Sequence, residues 1–306
     1  MKVDIILCTK DRPEAITSLL HNIGKLENLE RATITVVDAS QSLGEASYEI
    51  FSKHFDFQVI RSSPGLPSQR NLGLKGTTNE IVTFLDDDVV LASNFITATL
   101  SEFSNNEEII GLGYLLKGVS FSPRKIFAGF SLDLDERHFG QVSKSGLNHW
   151  YPEVGNRDDF IPPMWIPGCA MSFRRSGIGG TRFNPILEQG ILGGYALGED
   201  VDFTLGLFAK GKKLKLTFDT VVDHYEAPGE RDNSAQLAHA QGDWLRYLAK
   251  AHTKNIDTSR IFLRLLMEFL YLHILIILGR GNASARVCSR NRILRFVSKS
   301  PYLKKS

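Results

Sequence analysis

The chain is poor in cysteine, and what it has is scattered. Cys8, Cys169 and Cys288 are odd in number and far apart, with no CxxC spacing and no zinc-type histidine pattern nearby. That excludes a disulfide framework and a zinc knuckle, and it fits a reducing, cytoplasmic setting. A clean apolar span is also missing. The opening stretch MKVDIILCTKDRPEAI has a short hydrophobic run broken by Asp4, which suits neither a signal peptide nor a spanning helix. Ser259 to Leu278 is strongly apolar but is interrupted by Arg264, Glu268 and His273, so it does not read as a simple transmembrane helix. Net charge is nearly absent, at +2 from 36 basic and 34 acidic residues, which gives no reason to expect a nucleic-acid partner.

What remains is an ordinary globular composition. With 306 residues, 42% hydrophobic and 23% charged, the chain can bury a sizeable core in one large or two modest domains. Apolar runs of strand length alternate with amphipathic stretches. The expected strands are Val3 to Cys8, Thr33 to Asp38, Phe57 to Arg61, Ile81 to Leu85 and Ile109 to Leu115. Between them, helices are expected from Asp11 to Asn22, Glu45 to His54, Ser68 to Lys75 and Asn94 to Phe103. This alternation predicts an α/β fold, a Rossmann-like, mainly parallel sheet flanked by helices.

From 116 to 163 the pattern dissolves into Gly, Pro and aromatics, read as loops over a cleft. Order returns at Trp165 to Arg174, then in a helix carrying Val201, Leu205 and Phe208 at helical spacing, and in short strands at Leu214 to Phe218 and Val221 to Tyr225. Helices at Ser234 to Lys250 and Ser259 to Leu278 complete the chain. The expected organisation is a catalytic unit over 1–230, split near 115 into nucleotide-binding and acceptor halves, with a C-terminal helical extension over 231–306.

The segment FLDDDVV places Asp86, Asp87 and Asp88 at the end of the fourth strand. Each acid raises the cost of ionising its neighbours, and a divalent cation cancels that repulsion; a solvated acidic turn is the plainer alternative. Position favours function, because ligands of open α/β sheets bind at the carboxyl ends of the strands.

Taken in order, VDIILCTKDRPEAI, ITVVDAS, GLPSQRNLGL, IVTFLDDDVVL, IPGCAMSFRR and LGEDVDFTLGLFAKGKKL resemble the family 2 glycosyltransferases, which have the GT-A fold. The resemblance covers roughly residues 1–225. It implies an inverting enzyme that moves a sugar from a nucleotide-sugar, a uridine diphosphate sugar in most relatives, to an acceptor hydroxyl. It also implies Mn2+ or Mg2+ beside the diphosphate, with Asp88 as metal ligand and Asp86 and Asp87 serving the ribose or the metal's waters. Asp38 matches the acid that meets the nucleotide base, with Thr9 and Arg12 lining the same pocket. Arg70, followed by Asn71, matches a basic residue facing the nucleotide.

In the Glu-Asp pair of LGEDVDF, the resemblance makes Asp200 the base that takes the acceptor proton and Glu199 its companion; both acids would equally suit the first turn of a helix. Trp165 and Gly168 match the segment beneath the donor sugar. His224 stands where some relatives place a metal- or phosphate-facing histidine.

QGDWLRY at 241–247 departs from the QxxRW signature of processive, membrane-spanning members, so transfer of one or a few sugars is expected. From Gly279 to Ser306 there are eight Lys or Arg and no acid. An apolar helix followed by a basic tail suits peripheral docking on the cytoplasmic face of a membrane; packing on the catalytic unit or in a homo-oligomer is the alternative. The expected acceptor is a glycan or a lipid-linked acceptor of surface polysaccharide assembly. Two other readings are a nucleotidyltransferase, although CTKDRPEA lacks the glycine-rich turn such enzymes carry, and an inactive sugar-nucleotide-binding scaffold, although Asp38, Asp88 and Asp200 are all present.

Overall fold

The computed structural model describes residues 1–41, 48–53, 55–117, 140–148, 161–188, 197–225 and 235–298. Most of the unpatterned 116–163 stretch, both ends of the expected Glu45 to His54 helix and the last eight residues of the basic tail lie outside them.

Eight strands form one sheet in the order β3-β2-β1-β4-β7-β6-β8-β5. They are β1 Val3–Thr9, β2 Ala32–Asp38, β3 Phe57–Arg61, β4 Ile81–Asp86, β5 Val89–Leu91, β6 Ile109–Lys117, β7 Ala170–Arg174 and β8 Lys213–His224. The first four pair in parallel, and β6 is parallel to β8. β7 runs antiparallel between β4 and β6, and β5 antiparallel to β8. Every residue of β1 is buried, as a central strand covered on both faces requires. Its one charge, Asp4, accepts from the Asn79 amide and side chain and from Arg175 Nη2, at 2.7, 2.7 and 3.0 Å, so burial leaves it no free oxygen.

The helices are α1 Pro13–Ile23, α2 Glu49–Ser52, α3 Leu66–Lys75, α4 Phe95–Asn105, α5 Arg175–Ile178, α6 Glu199–Ala209, α7 Ala235–Ala251, α8 Thr258–Ile277 and α9 Ala283–Val297. α1 shows why such segments pack: proline sits in its first turn, and Ile16, Leu19, Leu20 and Ile23 form a buried stripe at three- and four-residue steps. Each such side chain contributes about 1.5–3 kcal/mol when fully buried.

Two expectations changed. The two short strands expected over 214–225 are one, because β8 pairs along the whole of β6, with a register shift between Tyr114 and Leu115 that absorbs the irregularity. The end of the chain is helical as far as Val297: α9 packs on α7 and α8, with Asn282 capping its first turn through the amides of Ser284 and Ala285. The C-terminal helices do not stand apart. Trp244, Leu245, Leu248, Ile261, Leu265 and Phe296 share a core with Val201 and Leu205 of α6. No helix among the described residues is long and apolar enough to cross a membrane.

Candidate active site

The parallel register brings three strand ends together. Thr9 lies opposite Asp38, and Cys8 opposite Asp86, so acids separated by nearly fifty residues become neighbours at one edge of the sheet. Gln69 on α3 fastens this edge by donating to the carbonyls of Thr9 and Val37, at 3.1 and 2.9 Å.

Asp38 is fully buried. Its Oδ1 accepts from the Ser40 amide at 2.7 Å, and its Oδ2 from Tyr48 Oη at 3.2 Å and Arg61 Nη1 at 2.6 Å. Thr9 Oγ1 donates to Asp87 Oδ2 at 2.7 Å, and Arg12 Nη1 reaches Asp87 Oδ1 at 2.9 Å and Asp88 Oδ2 at 3.2 Å. Burial pushes the Asp87 carboxyl above its ordinary range, with Thr9 and Arg12 pulling the other way.

β5 decides where His224 goes. Its antiparallel register sets Val89 against His224, and the Tyr225 amide donates to the Asp88 carbonyl at 3.0 Å. His224 Nε2 then lies 3.3 Å from Asp88 Oδ1. Asp86, Asp88 and His224 each offer one ligand atom, all within 4.8 Å of one another. Two carboxylate oxygens and an imidazole nitrogen are a donor set for Mn2+ or Mg2+, whose ligands at bonds of about 2.1 Å stand about 3–4 Å apart. The electrostatics agree: the Asp86 carboxyl is pushed up to about 6 by burial, which Arg70 opposes and the charges of Asp88 and Glu199 reinforce. A cation would relieve that strain, so the residues fit a divalent metal.

On the other flank is the Glu199-Asp200 pair. Gly198 turns the chain into α6 with φ of +72°, a conformation glycine adopts without steric cost. Asp200 Oδ2 accepts from the Gly168 amide at 2.9 Å and from Trp165 Nε1 at 3.1 Å, while Oδ1 accepts from the Val201 amide at 2.8 Å. A carboxylate has about four lone-pair sites, so these three bonds leave room for an incoming proton. Burial, and then the neighbouring Glu199 charge, push its pKa up to about 6, against the pull of Arg70 and the two amides.

Arg70 joins the flanks. Its side chain is 1% exposed; Nη1 donates to Glu199 Oε1 at 2.8 Å, and Nη2 to Asp86 Oδ1 at 2.9 Å and to the Gly168 carbonyl at 3.0 Å. Its guanidinium also lies 5.4 Å from the centre of the Phe183 ring. Burial works against this charge, but Asp86 and Glu199 outweigh it and raise its pKa. A Cβ on Gly168 would come within 3.1 Å of Nη2 and 3.2 Å of the Asp200 Cβ, which is why this crossing of strand, arginine and acid suits a glycine.

All the expected site residues thus stand at this one edge, but several face differently from the expectation. Arg70 is an internal bracket whose two terminal nitrogens donate to protein oxygens. Asn71, expected beside it on the nucleotide side, instead exchanges hydrogen bonds with the backbone of Phe183, at 2.7 and 2.9 Å. Asp86 joins the cluster with Asp88 and His224 rather than only flanking it. Reading the sequence missed Gln69, Tyr48 and Arg61, and also the clamp behind α6. There, Asp202 Oδ1 accepts from Tyr247 Oη at 3.0 Å and pairs with His252 Nε2 at 2.8 Å, the Gly198 Cα faces the Trp244 ring, and Asn184 donates to Tyr247 Oη at 2.8 Å. Only Gln69 carried a signal, beside Arg70 in SQRN.

A twisted α/β sheet with acids at the strand ends and an acidic pair opening a later helix defines the GT-A glycosyltransferases, and the comparisons agree. The glycosyl transferase family 2 profile matches residues 4–178, and the chain belongs to that family. It is a glycosyltransferase. Among solved structures, S. aureus TarS 1-349 superposes with a TM-score of 0.59 at 14% identity, covering 98% of this chain and 81% of that one. The same TarS segment with UDP-GlcNAc gives 0.58 at 16%, covering 98% and 82%. The mannosyltransferase PcManGT of Pyrobaculum calidifontis, with GDP-Man and Mn2+, gives 0.53 at 14%, covering 97% and 70%. GalNAc-T7, with UDP, GalNAc and Mn2+, gives 0.58 at 15%, covering 81% of this chain and 47% of that one. No curated protein matches in sequence.

Proposed function

We propose that this glycosyltransferase moves a single sugar, with inversion, from a uridine diphosphate sugar to a hydroxyl of a glycan or lipid-linked acceptor of surface polysaccharide assembly. Asp86, Asp88 and His224 would hold Mn2+ or Mg2+, which when bound offsets the charge that grows on a departing diphosphate. The base pocket would lie at the ends of β1 and β2, bordered by Thr9, Arg12 and the Asp38–Arg61 pair. Trp165 and Gly168 fix one oxygen of Asp200, and the other takes the proton of the acceptor hydroxyl as that oxygen attacks the anomeric carbon. Burial, reinforced by the charge of Glu199 that Arg70 holds in place, keeps the base raised toward neutrality, where a proton acceptor works best. One such carboxylate suffices for a displacement with inversion, and two flanking the bond are the arrangement of glycoside hydrolysis.

The observation that carries this reading is the Arg70 guanidinium, which donates to both Asp86 and Glu199 and so ties the metal-type cluster and the acidic pair into one site. The ligands in the related structures support the donor class and the metal; uridine appears with TarS and GalNAc-T7, and guanosine with PcManGT. The test supplies purified protein, Mn2+ or Mg2+, a panel of nucleotide-sugars, and glycan or lipid-linked acceptors, and measures released nucleoside diphosphate. Metal-dependent release is expected with a uridine donor. Asp88→Asn should weaken metal-dependent nucleotide binding, whereas Asp200→Asn should bind donor and lose transfer. Silence across the panel, or full activity of either variant, would overturn the proposal.

A further inference from the structure

α8 packs Ile261 and Leu265 into the shared core, yet its opposite face is not the polar surface an amphipathic helix normally shows to water. Two of its three Lys, Arg or acidic side chains are turned inward: Arg264 is 8% exposed and donates from Nε to the Ser145 carbonyl at 3.1 Å, and Glu268 pairs with Arg292 at 2.6 Å, while Arg260 in the first turn is exposed. Beyond the first turn its outer surface is mainly apolar, with His273 the exposed polar exception. Phe262, Leu263, Leu270, Ile274 and Ile277 are exposed, the last to 71%. From Phe262 to Ile277 there are fifteen steps of about 1.5 Å each, a stripe about 22 Å long. On α9, Val287, Leu294 and Val297 are also exposed, with the exposed Arg290 at the same three- and four-residue spacing.

Charge selects what covers this surface. From 258 to 306 there are ten Lys or Arg and one acid, the paired Glu268, whereas the rest of the chain has 26 basic residues against 33 acids. The helical end is therefore strongly positive and the body negative. Arg280 and Arg290 are exposed at the margin of the apolar stripe, and Arg286 donates to His273 Nδ1 at 3.0 Å. Face-to-face pairing with a second copy would set this cationic end against itself. An anionic bilayer instead receives the apolar residues below its headgroups and the arginines among them, while the acidic body is repelled outward.

We propose that the outer faces of α8 and α9 dock this enzyme in the plane of an anionic lipid surface without crossing it. The inference is independent of the donor, metal and acceptor proposed above. Docking there would let the catalytic unit work on acceptors held at the membrane.

The experiment is flotation of the full chain with vesicles of phosphatidylcholine alone or mixed equally with phosphatidylglycerol, alongside sedimentation to measure oligomeric state. Binding is expected to the anionic vesicles and to weaken as salt is raised. Leu270→Ser with Ile274→Ser and Ile277→Ser should lower vesicle affinity at least about tenfold. Each of Arg280→Gln and Arg290→Gln should lower it about fivefold. All these positions are exposed, and an unchanged melting transition will confirm that the variants fold. Equal binding to both vesicles, no binding to either, or an apolar triple variant that dissociates a dimer while keeping its vesicle affinity would overturn the proposal.

Discussion

Replacing Arg70 by methionine removes the guanidinium while keeping much of the side-chain volume. Three donors vanish at once: those to Glu199, Asp86 and the Gly168 carbonyl, all within 3.0 Å. Arg70 is 1% exposed and Glu199 9%, so water cannot readily take its place on that side, whereas Asp86 is 30% exposed and is partly reached by solvent. Breaking a buried ion pair from one side costs about 3–5 kcal/mol, because the partner charge is left uncompensated. For a chain of this length, about 1 kcal/mol corresponds to about 2 °C in Tm, so a loss of about 6–10 °C is expected by calorimetry at neutral pH. The deficit must also depend on pH. Asp86 already has a folded pKa near 6 with the arginine present, and losing the cation raises it further. A carboxyl whose folded pKa exceeds its unfolded value contributes stability below the unfolded pKa and loses it as pH rises through the folded one. Hence the variant's deficit should grow from mildly acid to neutral pH and shrink on acidification, as the bereaved acids take up protons. A Tm within about 1 °C of the parent at neutral pH, or a deficit that does not change with pH, would refute this account of the bracket.

With Asp200 in the base role proposed above, its pKa of about 6 predicts that kcat at saturating donor and metal falls about tenfold per pH unit below that value and levels off above it, since a base works ionised; a flat rate profile through the acid range would remove it from the role. Gly198→Ala forces a left-handed backbone on an L side chain, costing about 1–2 kcal/mol, and sets a Cβ 2.4 Å from the Trp244 ring. We expect a lowered denaturation midpoint and a fall in kcat with donor affinity nearly unchanged, read by unfolding and isothermal titration; unchanged kcat would show that the turn does not position Asp200.

The parallel half of the fold was legible because each of its strands is a short apolar run between turn signals, so Phe57 to Arg61 could be bounded to the residue. What escaped were features made by pairing. Val89–Leu91 is three residues long and takes its strand character from β8, and that pairing is what carries His224 to Asp88. The joined β8 hid behind residues 219 and 220, where the register with β6 shifts. At the site, the acids stood out in DDD and GED, but nothing local in the sequence says that Arg70 turns inward or that Tyr247 and His252 hold Asp202. Those contacts span 45 to 129 positions and exist only once the sheet has set its order. The helix over Ala283–Val297 was obscured by its arginines, which read as a basic tail although Arg292 and Arg295 are paired to Glu268 and Asp243.

The Arg70 contacts also bear on engineering. Since Arg70 grips the carboxylate of Glu199, 129 positions further along, no seam between those two residues leaves the contact within one parent. A chimera that borrows the stretch after residue 115 from a relative must import whatever residue that relative uses to meet the arginine. Recombination at the boundary should therefore yield folded but idle hybrids, unless the junction is chosen so that residues 70, 86, 168 and 199 travel as a set.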